Sequence, residues 1–482
     1  MTPKTKRIIL VVALLQIVIA LGFLALPPVV QALPGRYLVR LQAHPLTSGV
    51  MELVTTPIAR SLPSAEGSGS SDVAAAEVPD IPGLAQDTAG EGSGALPAPT
   101  ASPTPPPPAT PTLPAADAEP TATAAPPTPT PTFTPSPTPE PLPESVMLEG
   151  LVTIQQGFNN CGPANMAIAL QYWGDETTQM QAASYLKPNE EDRNVSPWQI
   201  NEYVNDFTTL KSTAHASGTM DLLKRLVAAG FPVVIEKGYE PQQGAEGWYG
   251  HYLTVYGYDD EKQEIYSRDT YLGPFDGRPR VDSYDEFMQW WQHFYYTFYV
   301  IYPSYEEQTV RQLIPDILEN EYTMWQHTAG IARQELEEDP NNVFTWFNLG
   351  VALTRMGQVA SAETTPDFQE GDNARYYEEA TEAFDRAREI GLPPRTLYYE
   401  HRPLMAYYRT GRIQDVLDLT AAMLETPGGR WVEEIYWYRG HGLAATGDLL
   451  GAKEAYEKAL EVNENFSPAE ISLNWVNSEL QQ

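Results

Sequence analysis

The chain has 482 residues, 42% of them hydrophobic, and carries 63 Asp and Glu against 30 Lys and Arg, a formal net charge of −33. So acidic a protein repels phosphate backbones and anionic lipid surfaces, which argues against nucleic acid as a partner. The length allows two or three domains, and the single cysteine, Cys161, excludes both a disulfide within the chain and a multi-cysteine metal site.

Residues 1–30 open with Lys4, Lys6 and Arg7, then an uncharged run from Ile8 to Leu26, ended by Pro27-Pro28. Nineteen apolar or near-apolar residues are enough to cross a hydrocarbon core of ~30 Å as a helix. Basic residues on the short side keep that end in the cytoplasm. The expectation is a membrane anchor with the bulk of the chain extracytoplasmic. Val30-Gln31-Ala32 also fits a signal-peptidase site, and cleavage there would give a secreted protein. Residues 31–64 hold a short segment, Arg36 to Leu41, with no assignment. Residues 65–144 are rich in Gly, Ser, Ala and Asp, then almost wholly Pro, Thr, Ala and Ser, as in Pro105-Pro106-Pro107-Pro108. Such a composition predicts a disordered stalk, its second part in polyproline II.

From Ser145 the composition becomes that of a globular domain. Val146–Thr153 reads as a strand, and Cys161–Trp173 as a helix stopped by Gly174. Ser196-Pro197 supplies an N-cap and a proline at the first helical position of another. A third helix runs from Gly218 to Ala229. Strands follow at Pro232–Glu236, His251–Tyr258, Glu264–Asp269 and Phe298–Tyr302, with a helix at Ser283–Trp291 before the last. Helices first and an antiparallel sheet afterwards is an α+β order. From Glu306 onward the pattern is helical throughout.

Cys161 has the surroundings of a thiol nucleophile. A helix follows it directly, and the partial positive charge of a helix N-terminus favours thiolate. Gln155 lies six residues ahead, where its amide can help hold an oxyanion together with the Cys161 N–H. A thiol needs a base, and His215, His251 and His293 are the histidines of this domain. His251 is the best placed, because it opens a strand and the preceding Gly250 leaves room for a substrate chain. Asp269 ends the next strand, so a tight turn at Asp259–Lys262 brings it beside His251 to orient the ring. His215, in a polar stretch, is expected at the surface, and His293, among aromatics, in the core.

The Asn159-Asn160-Cys161-Gly162-Pro163-Ala164-Asn165 segment, the Gly250-His251-Tyr252-Leu253-Thr254-Val255 strand and the Arg268-Asp269-Thr270 element together resemble the peptidase C39-like group of papain-fold cysteine peptidases. The resemblance covers residues 145–303. It implies a papain-like fold and a Cys-His-Asp site, Cys161, His251 and Asp269, that cleaves peptide bonds. The family's Gln lies six before its Cys, which selects Gln155, and Gln156 remains open if the loop differs by one residue.

Residues 304–482 carry Trp346-Phe347-Asn348-Leu349-Gly350, similar to the tetratricopeptide pattern W-x2-L-G. The second helix of that unit holds Ala380, Phe384 and Ala387 after an insertion of roughly eighteen residues. Two further units follow, with Gly411 and Gly447 at equivalent places 36 residues apart. Stacked helix pairs present a concave face, so an all-α solenoid that binds a protein partner is expected. Tyr407, Tyr408, Arg409 and Arg439 are candidates for that face, although aromatics at helical spacing more often fill cores.

The whole reads as a membrane-anchored cysteine peptidase, acting on a peptide or protein substrate, with helical repeats for protein binding. No metal or organic cofactor is implied. Two other readings use the same residues: a non-catalytic papain-fold binding module in a repeat scaffold, and an acyl transferase, which would share the acyl-enzyme.

Overall fold

The computed structural model describes residues 62–63, 78–84, 141–240, 247–365, 367–426 and 428–481. The expected membrane span and residues 85–140 of the stalk lie outside them. Among the described residues no helix is long and apolar enough to cross a membrane.

The first module is α+β. Strand β1 (Ser145–Met147) leads through an irregular stretch to α1 (Cys161–Tyr172). Then come α2 (Gln179–Leu186), α3 (Pro197–Phe207), β2 (Leu210–His215), α4 (Met220–Ala228), β3 (Val233–Tyr239), β4 (Tyr249–Asp259), β5 (Glu264–Asp269), β6 (Arg280–Ser283), α5 (Tyr284–Trp291) and β7 (Phe298–Pro303). The seven strands form one antiparallel sheet in the order β2-β7-β3-β4-β5-β6, with β1 on the far half of β4. The Ser196 capping box starts α3 as its sequence predicts: Ser196 Oγ accepts from Gln199 N–H, and Gln199 Oε1 accepts from Ser196 N–H at 2.8 Å.

Several expectations need correcting. The strand expected over Val146–Thr153 ends at Met147, because the chain turns away to reach the loop before Cys161. α2, β2 and β6 carry no apolar periodicity strong enough to announce them. β2 buries alternate residues against α3 and β7 although its sequence is polar. His215, expected at the surface, is buried at its end, between Thr213 Oγ1 at 2.7 Å and the Leu318 carbonyl at 3.0 Å.

The second module is all helical: α6 (Glu307–Leu313), α7 (Asp316–Glu319), α8 (Glu321–Glu338), α9 (Val343–Val359), α10 (Asp372–Ile390), α11 (Arg402–Arg409), α12 (Ile413–Glu425), α13 (Glu433–Ala445), α14 (Leu449–Val462) and α15 (Ser467–Glu479). From α8 onward each helix packs chiefly on its chain neighbours, the pattern of a repeat stack. A small residue locks two of the pairs, α9 with α10 and α13 with α14. A Cβ on Gly350 would lie 2.5 Å from the Phe384 ring, and one on Gly440 would overlap the Tyr456 ring. The first pair is 34 residues apart and the second 16, the difference being the insertion between α9 and α10. Tyr407 and Tyr408, candidates for an exposed face, are fully buried.

The described parts of the N-terminal region belong to this stack. Arg388 donates to the Pro63 carbonyl at 2.6 Å, Tyr408 OH to the Pro79 carbonyl at 2.7 Å, and Ser472 OH to the Pro82 carbonyl at 2.9 Å. Leu62, Ile81 and Leu84 are buried. The expectation of disorder across residues 65–144 therefore fails at residues 78–84, where apolar side chains find a core that composition alone does not reveal.

The two modules share a broad seam. Ser217 meets Thr328 at 2.7 Å, Tyr295 OH donates to Glu400 at 3.0 Å, and Gln292 Nε2 donates to Glu335 at 2.8 Å. At its centre two glycines face each other across β3 and β4, Gly238 opposite Gly250. They leave bare backbone, which receives His293, Phe294 and Trp248 of the first module and Phe344 and Tyr399 of the second. The His293 ring stacks on Phe344 at 3.6 Å. Gly238→Ala would drive a methyl into His293 and Trp248. We expect it to cost about 1–3 kcal/mol by overpacking, measured by urea unfolding against wild type.

Candidate active site

The loop ahead of Cys161 is held from α2. Gln179 Oε1 accepts from Gly157 N–H at 2.8 Å, and Gln179 Nε2 donates to the Gln155 carbonyl at 2.9 Å. Asn159 turns the chain with φ of 54°, a left-handed conformation that Asn tolerates better than most residues. Cys161 then begins α1, partly exposed, and no side chain caps the first turn. The unbonded N–H groups of that turn can receive an anion.

α1 is tied to the sheet by Asn165, which is fully buried. Its Nδ2 lies 2.9 Å from the Cys161 carbonyl, 3.0 Å from the Tyr252 carbonyl and 3.1 Å from Thr270 Oγ1. Its Oδ1 accepts from Thr254 OH at 2.8 Å. One side chain thus links the helix that bears the thiol to the strand that bears His251 and to the residue after Asp269.

β4 and β5 are joined by the Asp259–Lys262 turn, and their register sets Leu253 opposite Asp269. His251 is two residues before Leu253 and so shares its face. The two functional groups meet diagonally, with His251 Nε2 2.9 Å from Asp269 Oδ1. That bond leaves Nδ1 as the ring nitrogen for the thiol, and Cys161 is near enough to favour the charged form of the ring. Oδ1 of Asp269 also accepts from the N–H groups of Tyr271 and Leu272, at 2.9 and 2.8 Å, and Oδ2 from Arg280 at 2.9 Å. Arg280 in turn pairs with Asp282.

The electrostatics follow. Burial opposes a charge on His251, but Asp269 and then Cys161 outweigh it and raise its pKa to about 9. Burial would push Asp269 up, yet His251, the Leu272 N–H and Arg280 hold it well below the ordinary carboxylate range. Lys237, opposite His251 on β3, is buried, and burial lowers its pKa although Asp282 and Asp269 work the other way.

Of the residues singled out from sequence, the structure brings Cys161, His251 and Asp269 together. Gln155 is exposed, and its side chain makes no hydrogen bond to a described residue. Gln156, the option left open by the loop length, is the one tied in: its N–H donates to the Thr270 carbonyl at 2.8 Å, and its Oε1 accepts from Thr270 OH at 2.8 Å. The room expected at Gly250 is already filled, since a Cβ there would lie 2.7 Å from Phe294 and 3.1 Å from the Tyr399 ring. Sequence reasoning passed over Asn165, Thr270 and Arg280. Asn165 stood in the quoted motif, and its position one turn after Cys161 was the available signal. Among the described residues no group of three or more His, Cys, Asp or Glu could hold a metal ion.

A sheet with helices ahead of it and a Cys-His-Asp cluster where α1 meets β4 is the papain-like class of α+β domain. Residues 149–298 match the sequence model of the Peptidase_C39 like family. The chain thus carries a C39-like peptidase domain followed by an all-α region with repeat-like stacking. A solved structure of a candidate C39-like peptidase from Bacillus anthracis is similar over 33% of this chain and 98% of that chain, at 20% identity and a TM-score of 0.28. No curated protein matches the chain.

Asp269→Asn should return the His251 pKa toward or below the ordinary histidine value, read from its ring-proton shifts in NMR. The sign for stability follows from the raised pKa. The His251 contribution is full below the unfolded value, ~6.5, and fades as pH climbs through about 9. The stability gap between wild type and Asp269→Asn should therefore narrow from pH 7 to pH 10 in urea unfolding.

Proposed function

We propose that the protein is a cysteine peptidase of the C39-like kind, hydrolysing peptide bonds through Cys161, His251 and Asp269. The observation that carries the reading is the buried 2.9 Å bond between His251 and Asp269 on the strand pair facing the α1 N-terminus. The sulfur, its proton passed to His251, attacks the scissile carbonyl carbon and a C–S bond forms. The oxyanion takes N–H groups of the first turn of α1 and, we propose, Gln156 Nε2 rather than Gln155. Collapse breaks the C–N bond, and His251 gives its proton to the leaving amine. Water then attacks the thioester while His251 takes its proton, releasing the acid and the thiol. Asp269 keeps the ring in the right orientation and stabilises its charged form.

The helical module supplies a surface for a protein partner or a long substrate, and its seam with the sheet fixes it beside the site. The basic residues and the apolar run of residues 1–30 support a membrane anchor with both modules extracytoplasmic. Deleting residues 1–30 should then move the protein from the membrane pellet to the soluble fraction after carbonate extraction, and retention in the pellet would count against the anchor.

Peptides released from a cellular protein digest mixture should include a set produced by wild type and absent with Cys161→Ala. His251→Ala should lose the same set. Gln156→Ala should lower kcat about 10²–10³-fold, as expected for one oxyanion donor, whereas Gln155→Ala should leave it near wild type. Identical peptide profiles for wild type and Cys161→Ala would favour the non-catalytic binding module instead.

A further inference from the structure

A row of tyrosines runs outward from the proposed proton carrier, on its own face of the sheet. Tyr249 precedes His251 by two residues on β4, so the two side chains share a face. Tyr239 of β3 stands directly opposite Tyr249 in the register. Tyr271, two residues after the end of β5, joins the row to the imidazole. Its ring centroid lies 6.2 Å from that of His251 and 6.3 Å from that of Tyr249, and Tyr249 lies 4.9 Å from Tyr239. The successive interplanar angles are 66°, 80° and 67°, so each ring meets the next edge to face.

These rings are not core. Tyr252, Tyr256 and Tyr258, further along β4, are fully buried, whereas Tyr239 and Tyr249 are half-buried and Tyr271 keeps 42% of its surface exposed. Leu272 and Phe275, in the same loop as Tyr271, are exposed as well. An apolar patch left open beside a reaction centre marks a binding surface. The row is also fixed relative to the imidazole. Asp269 Oδ1, which holds His251 Nε2, accepts from the N–H groups of Tyr271 and Leu272. One carboxylate thus positions both the proton carrier and the loop that bears the first ring.

The chemistry decides which half of the substrate meets the row. In the proposed reaction His251 gives its proton to the leaving amine, so the amine half of the cut peptide lies against the imidazole and the rings beside it. We infer that Tyr271, Tyr249 and Tyr239 form a subsite for an aromatic side chain of that half, one to three residues after the bond. The inference rests on the cysteine peptidase reading and adds a substrate class to it.

The dimensions suit such an occupant. An extended chain advances ~3.3 Å per residue, so three residues cover ~10 Å, enough to pass Tyr271 and reach Tyr249. An aromatic ring from the substrate continues the edge-to-face pattern and covers rings that are otherwise open to water.

The test uses the full chain and the acetyl-enzyme that p-nitrophenyl acetate forms on Cys161. An amine seated on the leaving-group side competes with water for this thioester: its nitrogen bonds the acetyl carbon, the C–S bond breaks, and His251 carries the amine's proton to the sulfur. Tripeptide amides with Phe at the first, second or third position and alanine elsewhere are compared with trialanine amide, and the ratio of acetyl-peptide to acetate is read by mass spectrometry. At one position Phe should raise that ratio at least about tenfold, and Leu there by less. Tyr249→Ala should bring the Phe ratio down to the alanine value, and Tyr249→Phe should keep it. The wild-type scan decides the matter even if the alanine variant does not fold. Ratios equal to that of trialanine at all three positions, or acetate alone throughout, would overturn the inference while the acetyl-enzyme, and so the peptidase reading, stands. Leu matching Phe would overturn the aromatic class, and a Phe preference that survives in Tyr249→Ala would overturn the row as its site. A folded protein that takes no acetyl group on Cys161 would bring down the peptidase reading and this inference with it.

Discussion

A single buried amide fixes the relation between a helix and a sheet. Asn165 has no exposed surface, and its Nδ2 sits among the Cys161 carbonyl, the Tyr252 carbonyl and the Thr270 hydroxyl while its Oδ1 takes Thr254. Each partner left unsatisfied in that interior would cost about 1–3 kcal/mol. Thiol, imidazole and carboxylate come from three elements that sequence spacing alone does not align. The Asn165 network ties the first of these elements to the other two, and the hairpin register settles the diagonal between His251 and Asp269. Thr270 extends the tie to Gln156, so the loop ahead of the sulfur belongs to the same polar network.

The second level is electrostatic. Asp269 spends both oxygens on His251, two backbone N–H groups and Arg280, so its charge is held in place and its rotamer is fixed. The imidazole beside it therefore carries its proton at neutral pH, the state that can hand a proton to a leaving amine. Around this centre the helical module acts as a wall. Facing glycines on β3 and β4 admit aromatic rings from both modules, and Tyr399 is packed against Gly250, one residue before His251. A tethered accessory domain would need only a linker, and this seam is built from stacked rings, buried hydroxyls and side-chain hydrogen bonds instead.

Much of this was legible in the chain, for identifiable reasons. The lone cysteine at a helix start, the glycine-histidine opening of a strand and the aspartate at the end of the next strand mark the cluster because strand pairing has a period of two and hairpins bring consecutive strands together. The glycines read near the repeat period, Gly411 and Gly447, turn the chain at helix ends with positive φ, whereas the locks of the stack are Gly350 and Gly440. The hidden parts share one cause: they depend on contacts between distant segments. His215 looks polar in its own stretch but is buried because α7 and β7 close over it. Counting back from Cys161 selects Gln155, yet it is Gln156 that Thr270 ties into the polar network. Residues 78–84 read as linker by composition, yet Ile81 and Leu84 find a pocket on helices more than three hundred residues away.

The central claim is that Cys161 forms an acyl-enzyme with His251 as its proton partner. It is tested most directly by stopped-flow mixing of the full chain with p-nitrophenyl acetate. The account predicts a burst of p-nitrophenolate stoichiometric with protein, an acetyl group on Cys161 by mass spectrometry, and loss of the burst in both Cys161→Ala and His251→Ala. No burst from folded wild type, or one of the same size in Cys161→Ala, would contradict it.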